Sequence, residues 1–213
     1  MAVVDLRPLP VHRQPARRIP QLLIGLALYG TSMAMQIRGA LGLNPWDVLH
    51  EGLTEQTPIG FGAMTAVTGV LVLLLWIPLR QRPGLGTVAN VVVIAVVVDV
   101  ALAVIPAPSA LPARIGLLVG GVVLNGVATA AYVGARLGPG PRDGLMTGLA
   151  ARTGRSVRLV RSAIEVTVLT AGWLCGGTVG VGTVLYALAI GPLTQVFLPL
   201  LAVRDGRGVP GDS

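Results

Sequence analysis

Two aspartates occupy the same place in one short pattern. Leu41-Gly42-Leu43-Asn44-Pro45-Trp46-Asp47 returns 96 residues later as Leu137-Gly138-Pro139-Gly140-Pro141-Arg142-Asp143. In each copy the glycine tolerates positive φ and can end a helix. The proline suits the first turn of a new one, where its missing N–H costs nothing. The aspartate then falls in that first turn, beside the positive end of the helix dipole. Asn44 is a good N-cap; its counterpart Gly140 is a weaker one. A carboxylate so placed has two uses. It can cap its own helix and fix the break, or two broken helices can point their N-termini and carboxylates into one cavity, forming an ion or substrate path. On the second reading Asn44 and Arg142 accompany Asp47 and Asp143 in the path. On either reading Gly42, Pro45, Gly138 and Pro141 make the helix break.

Two further acids stand inside apolar stretches, where charge is costly and usually faces a bundle interior. Glu165 follows Arg161 by four residues, so the two can pair on one helix face or belong to the same path. Asp99, also a candidate for the path, has no local partner; either it lies near the outer interface and snorkels, or it meets a cation from another stretch, Arg38 or Arg114. His50 is a lone histidine, more in keeping with an ordinary amphipathic position than with proton sensing. Trp76 and Trp173 fit an interfacial aromatic belt. There is no phosphate loop, dinucleotide fingerprint, HExxH, GxSxG or zinc pair. The single cysteine, Cys175, forms neither a disulfide nor a metal cluster within the chain. No catalytic residue, metal or cofactor follows from these residues, and the chain does not read as an enzyme.

The elements that must position these groups are membrane helices. The 213 residues are 53% hydrophobic and 12% charged, with mean hydropathy +0.77, far beyond an ordinary soluble domain. The net charge is +7 and every basic residue is arginine. These arginines flank apolar stretches, which points to loop charge rather than nucleic-acid binding. Six stretches are long enough to span, near 19–37, 59–79, 85–105, 115–135, 157–177 and 181–203. With six spans, all arginines except Arg38 and Arg114 fall on one side, which the positive-inside rule makes cytoplasmic, with both termini there. Gly84-Leu85-Gly86-Thr87-Val88 also returns 96 residues later, as Gly180-Val181-Gly182-Thr183-Val184. Three spans per copy is an odd number, so the second copy enters from the opposite side. The expected fold is all-α, a 3+3 inverted repeat in which each half carries a short broken or interfacial helix of about 12 residues. The halves are 19–108 and 112–203, between a disordered tail at 1–18 and a second tail at 204–213.

The strings Gly42-Leu-Asn-Pro-Trp-Asp-Val-Leu-His50, Trp76-Ile-Pro-Leu-Arg80 through Val88, Gly140-Pro-Arg-Asp-Gly-Leu-Met146 and Arg158 to Glu165 resemble the bacterial YczE-like membrane proteins, related to the YitT group. The resemblance covers about residues 20–203 and implies an integral inner (plasma) membrane protein; it brings no site residues with it. The duplication and paired breaks suggest a small secondary transporter or permease with its site between the halves. The alternative is a non-transporting accessory or scaffold for a cytoplasmic partner, resting on the arginine-rich stretch. Arg152, Arg155 and Arg158 suit anionic lipid headgroups, and a homodimer is compatible with so small a bundle.

Overall fold

The computed structural model describes Leu6 and residues 8–203, and the described residues form eight α-helices without strands. They are α1 (Pro15–Gly39), α2 (Pro45–Glu55), α3 (Phe61–Leu79), α4 (Leu85–Val104), α5 (Leu111–Gly134), α6 (Pro141–Thr153), α7 (Val157–Leu174) and α8 (Val181–Leu201). The two short helices match the expected breaks. Pro45 opens α2 after Asn44, whose side chain accepts from Asp47 N, and Pro141 opens α6 after Gly140, which offers no side-chain cap.

α1 and α5 form the centre, packed on each other, with α4 against α1 and α8 against α5. Their close approach depends on missing side chains: a Cβ on Gly25 would lie 2.8 Å from Tyr132 N. The short helices cross over. α2 packs on α7 and α6 packs on α3. The main core joins Leu22, Leu26 and Met33 of α1 to Ile94 and Val98 of α4 and Tyr132 of α5. Around it lies an apolar outer surface, with Ile77, Val104, Leu174, Leu188 and Leu200 all more than 70% exposed, as hydrocarbon contact requires.

Four helices, α3, α4, α5 and α8, are long and apolar enough to cross a membrane. The other two of the six expected spans, α1 and α7, are long but more polar. α1 buries Ser32 and Gln36 inside the bundle, and α7 carries Arg158, Arg161 and Glu165. The N-terminal segment also differs from expectation. α1 begins at Pro15 rather than 19, and Leu9 N donates to Arg136 O at 3.0 Å. Residues 8–18 are held because Arg18, fully buried, gathers backbone carbonyls around itself. Arg7, the first five residues and the tail at 204–213, with Arg204 and Arg207, lie outside the described residues.

Candidate functional site

The two sequence patterns that recur are each other's partners. Gly182 N, at the start of α8, donates to Leu41 O at 2.8 Å, and Gly86 N, at the start of α4, donates to Leu137 O at 2.9 Å. Thr87 Oγ1 donates to Pro139 O at 2.7 Å. The break before α2 is thus pinned by the start of α8, and the break before α6 by the start of α4. Gly42 has φ 109°, and a Cβ there would sit 2.6 Å from Gly180 N. Both the dihedral and the backbone contact therefore demand glycine. Gly42→Ala is expected to cost about 3 kcal/mol. Gly60→Ala, where φ is −65° and no atom lies within 4 Å, should stay within about 0.5 kcal/mol of wild type. Thermal unfolding of the two variants in one detergent checks the contrast.

Held this way, the first turns of α2 and α6 face each other. Asn44 Nδ2 donates to Asp47 Oδ2 at 2.5 Å, and Asp47 N donates to Asn44 Oδ1 at 3.1 Å. From α6, an Arg142 guanidinium nitrogen stands 3.7 Å from Asp47 Oδ1, and its Cζ lies 4.9 Å from the centre of the Trp46 ring. His50, one turn along α2, brings Nδ1 to 3.5 Å from the same carboxylate oxygen and to 3.3 Å from Thr65 Oγ1 of α3. Asn44, Asp47 and His50 are 2%, 0% and 1% exposed, so the centre is closed to solvent. Arg142, at 24% exposure, reaches it from a partly open side.

Three groups here lack a hydrogen bond: Asp47 Oδ1, His50 Nε2 and Trp46 Nε1. Leaving a buried polar group unmatched is costly. The arrangement can therefore accept another polar species, offering an anionic oxygen, an imidazole nitrogen and an indole N–H beside the Arg142 guanidinium. Among the described residues, no three His, Cys, Asp or Glu side chains are grouped to hold a metal.

The residues singled out in the sequence divide accordingly. Asn44, Asp47 and Arg142 meet at the centre. Asp143 lies one residue beyond Arg142 and accepts from Tyr132 OH of α5 at 3.1 Å. Glu165 pairs with Arg161 on α7 at 2.8 Å, with side-chain exposures of 32% and 52%. Asp99 lies apart. Its Oδ1 accepts from Gly62 N at 2.8 Å and so caps α3, while Arg38 donates to Leu102 O and Arg114 to Gly39 O and Ala40 O. Neither arginine meets Asp99, because each is spent on helix-end carbonyls.

Trp76 is 2% exposed rather than interfacial, and donates to Pro141 O at 3.0 Å; Trp173, 63% exposed, remains at the surface. His50 is a buried member of the centre, signalled in sequence only by its i+3 spacing from Asp47. Trp46 and Tyr132 carried no such signal, while Asn125, a polar amide inside an apolar stretch, bonds across helices to Tyr186 OH at 2.9 Å and Ser32 Oγ at 2.8 Å. A cavity of about 650 Å³ opens elsewhere, between the end of α3 and α6, lined by Pro78, Arg80, Gln81, Gly148 and Arg152.

Three relatives place the chain. It is 39% identical over 186 residues to an uncharacterized protein of Haemophilus influenzae, covering 87% of this chain and 85% of that one. It is 36% identical over 177 residues to the uncharacterized membrane protein YczE of Bacillus subtilis, covering 82% of each. It is 25% identical over 182 residues to the uncharacterized protein YyaS of the same organism, covering 84% of this chain and 90% of that one. No solved structure matches. The apolar outer surface, the four spanning helices and the likeness to YczE make this a multi-pass integral membrane protein. With residues 16–199 matched by its model, the chain belongs to the family of unknown function DUF6198.

Proposed function

We propose that the protein is a small secondary-transporter-like permease, its site formed where α2 and α6 meet. The six longer helices cross the membrane as two inverted halves, with both termini on the cytoplasmic, arginine-rich side. Helix starts support this reading: α1 to α4 begin at 15, 45, 61 and 85, and α5 to α8 at 111, 141, 157 and 181. The paired contacts Leu41–Gly182 and Leu137–Gly86 keep the same register. A half of three spans must reverse when duplicated, and the point between such halves is where discontinuous helices bind substrates.

The single observation that carries the proposal is the Asp47–Arg142 pair, which joins the two halves 3.7 Å apart in a buried centre and leaves Asp47 Oδ1 without a hydrogen bond. A buried carboxylate oxygen left without a hydrogen bond is poor architecture. It suits a group whose partner comes and goes as the site opens and closes, without any chemical step.

The test uses the whole protein in proteoliposomes. Currents are recorded on a solid-supported membrane while small organic anions, organic cations and inorganic ions are applied in turn, with and without a pH gradient. One class should give a saturable current absent from empty liposomes, reduced at least about tenfold by Asp47→Asn with the unfolding midpoint within about 3 °C of wild type. An unchanged current in Asp47→Asn removes the site assignment. No current from any class removes the transport reading.

The second reading, a scaffold for a cytoplasmic partner, is favoured by one feature: the open cavity by Arg80 and Arg152. It predicts a co-purifying protein that is lost when Arg152, Arg155 and Arg158 become Gln.

A further inference from the structure

The two halves differ at one seam. α3 packs along α4, whereas α7 does not pack along α8. The residues 96 positions apart explain the difference. Gly62 lets α3 approach so closely that a Cβ there would lie 2.2 Å from Ala95 O and 2.5 Å from the Asp99 carboxylate. Its counterpart is Arg158, whose side chain has no room at that spacing. Gly69, whose Cβ would touch Val91 at 3.1 Å, is matched by Glu165. On the facing helix the contact residues shrink: Val91 becomes Ala187 and Ala95 becomes Gly191. Ala95 is 8% exposed, while Gly191 is exposed with no atom within 4 Å of a Cβ built on it. The seam closed in the first half is a cleft in the second.

We propose that an anionic phospholipid occupies this cleft, its phosphate against Arg158 and Arg161 and one acyl chain along Ala187 and Gly191 of α8. Charge selects that occupant. Arg155 and Arg158 are exposed and form no hydrogen bond or ion pair among the described residues. Arg161, 52% exposed, pairs with Glu165 at 2.8 Å. The mouth of the cleft is therefore net positive, and beyond it α8 offers the small, apolar, exposed Ala187 and Gly191. A second copy docked by this face fits worse. A two-fold axis along the membrane normal sets the arginines of the two copies at the same depth, like charge against like. A phosphate supplies the opposite charge and acceptor oxygens that two guanidinium groups can share. The proposal goes beyond the transport reading and does not need it.

The experiment is lipid retention. The full chain is purified in mild detergent from vesicles of equal phosphatidylglycerol and phosphatidylcholine, and bound lipid is counted by native mass spectrometry. Wild type should hold one phosphatidylglycerol in roughly fivefold preference. Arg158→Gln with Arg161→Gln should remove the preference, and Gly191→Leu with Ala187→Phe, which fills the groove without touching charge, should remove the lipid. Both pairs lie on exposed surface, and unfolding midpoints check that they fold. Equal retention of the two lipids overturns the proposal. So does retention unchanged by filling the groove, which would mean headgroup contact alone. A Gly191→Cys variant in a Cys175→Ala background that forms disulfide-linked dimers in the vesicles also overturns it, by giving the cleft to a second copy.

Discussion

Arg18→Met is expected to leave the protein unable to accumulate as a folded species, or to lower its unfolding midpoint by more than about 10 °C. The side chain is fully buried and donates five hydrogen bonds. Nε reaches Ala135 O at 2.8 Å and one terminal nitrogen reaches Arg136 O at 2.9 Å, at the carboxyl end of α5. The rest go to Leu9, Pro10 and Arg13, which fold the N-terminal segment over the same spot. Among the described residues, no carboxylate takes part. The charge is balanced by carbonyl dipoles, those of the α5 end included, an arrangement open to a planar guanidinium and closed to most other side chains. Methionine fills much of the volume but removes all five hydrogen bonds, a loss of about 4 kcal/mol or more.

Arg114 gives the internal control. It lies 96 residues on and makes the matching contacts at the end of α1, with Gly39 O at 2.9 Å and Ala40 O at 2.6 Å. It is only half-buried and has two bonds rather than five, so Arg114→Met should cost well under half as much. Equal effects of the two substitutions in a thermal unfolding series would show that hydrogen-bond count is not what Arg18 contributes. Arg114 thus serves as a cap for the carboxyl end of α1.

Gly144→Ala should destabilise by about 3 kcal/mol, and Trp76→Leu should restore much of that loss in the double variant. A Cβ on Gly144 would lie 2.0 Å from Trp76 Cζ2, and the ring cannot retreat, because it is 2% exposed and its Nε1 donates to Pro141 O. The equivalent contact in the other half has the bulk on the opposite partner. Trp76 is replaced by Gly172 and Gly144 by Val48, and a Cβ on Gly172 would meet Leu49 N at 2.4 Å. There the obstacle is backbone, so Gly172→Ala should be at least as damaging and no shortened side chain should rescue it. Unfolding midpoints of the single variants Gly144→Ala, Trp76→Leu, Gly172→Ala and Val48→Ala, and of the double variants Gly144→Ala/Trp76→Leu and Gly172→Ala/Val48→Ala, decide the matter. Rescue at one seam and its absence at the other would tie the close α2–α7 approach to the missing side chain at 172.

Much of the architecture was legible in the chain because it is local. A Gly–x–x–Pro–x–Asp string ends one helix and starts another whatever surrounds it, and α2 and α6 begin at Pro45 and Pro141 as read. Apolar stretches marked the long helices, although α1 and α7 are more polar than a span facing lipid on all sides. Asp143 and Asp47 were found by recurrence alone. Asp99 was assigned to the path for its depth in an apolar helix, but that depth places it beside the free N–H of Gly62. His50 and Trp46 gained their importance only from what lies opposite.

The sequence by itself determined the breaks, the helices and the register of 96 residues between them, since each depends on a few neighbouring side chains and backbone groups. Only the tertiary structure decided which elements meet. Helix ends leave carbonyls and N–H groups that must be satisfied away from water. Arg18 and Arg114 and the turns at Gly86 and Gly182 answer that need from distant parts of the chain. Once those ends are tied, α2 and α6 are forced together, and Asp47 meets Arg142.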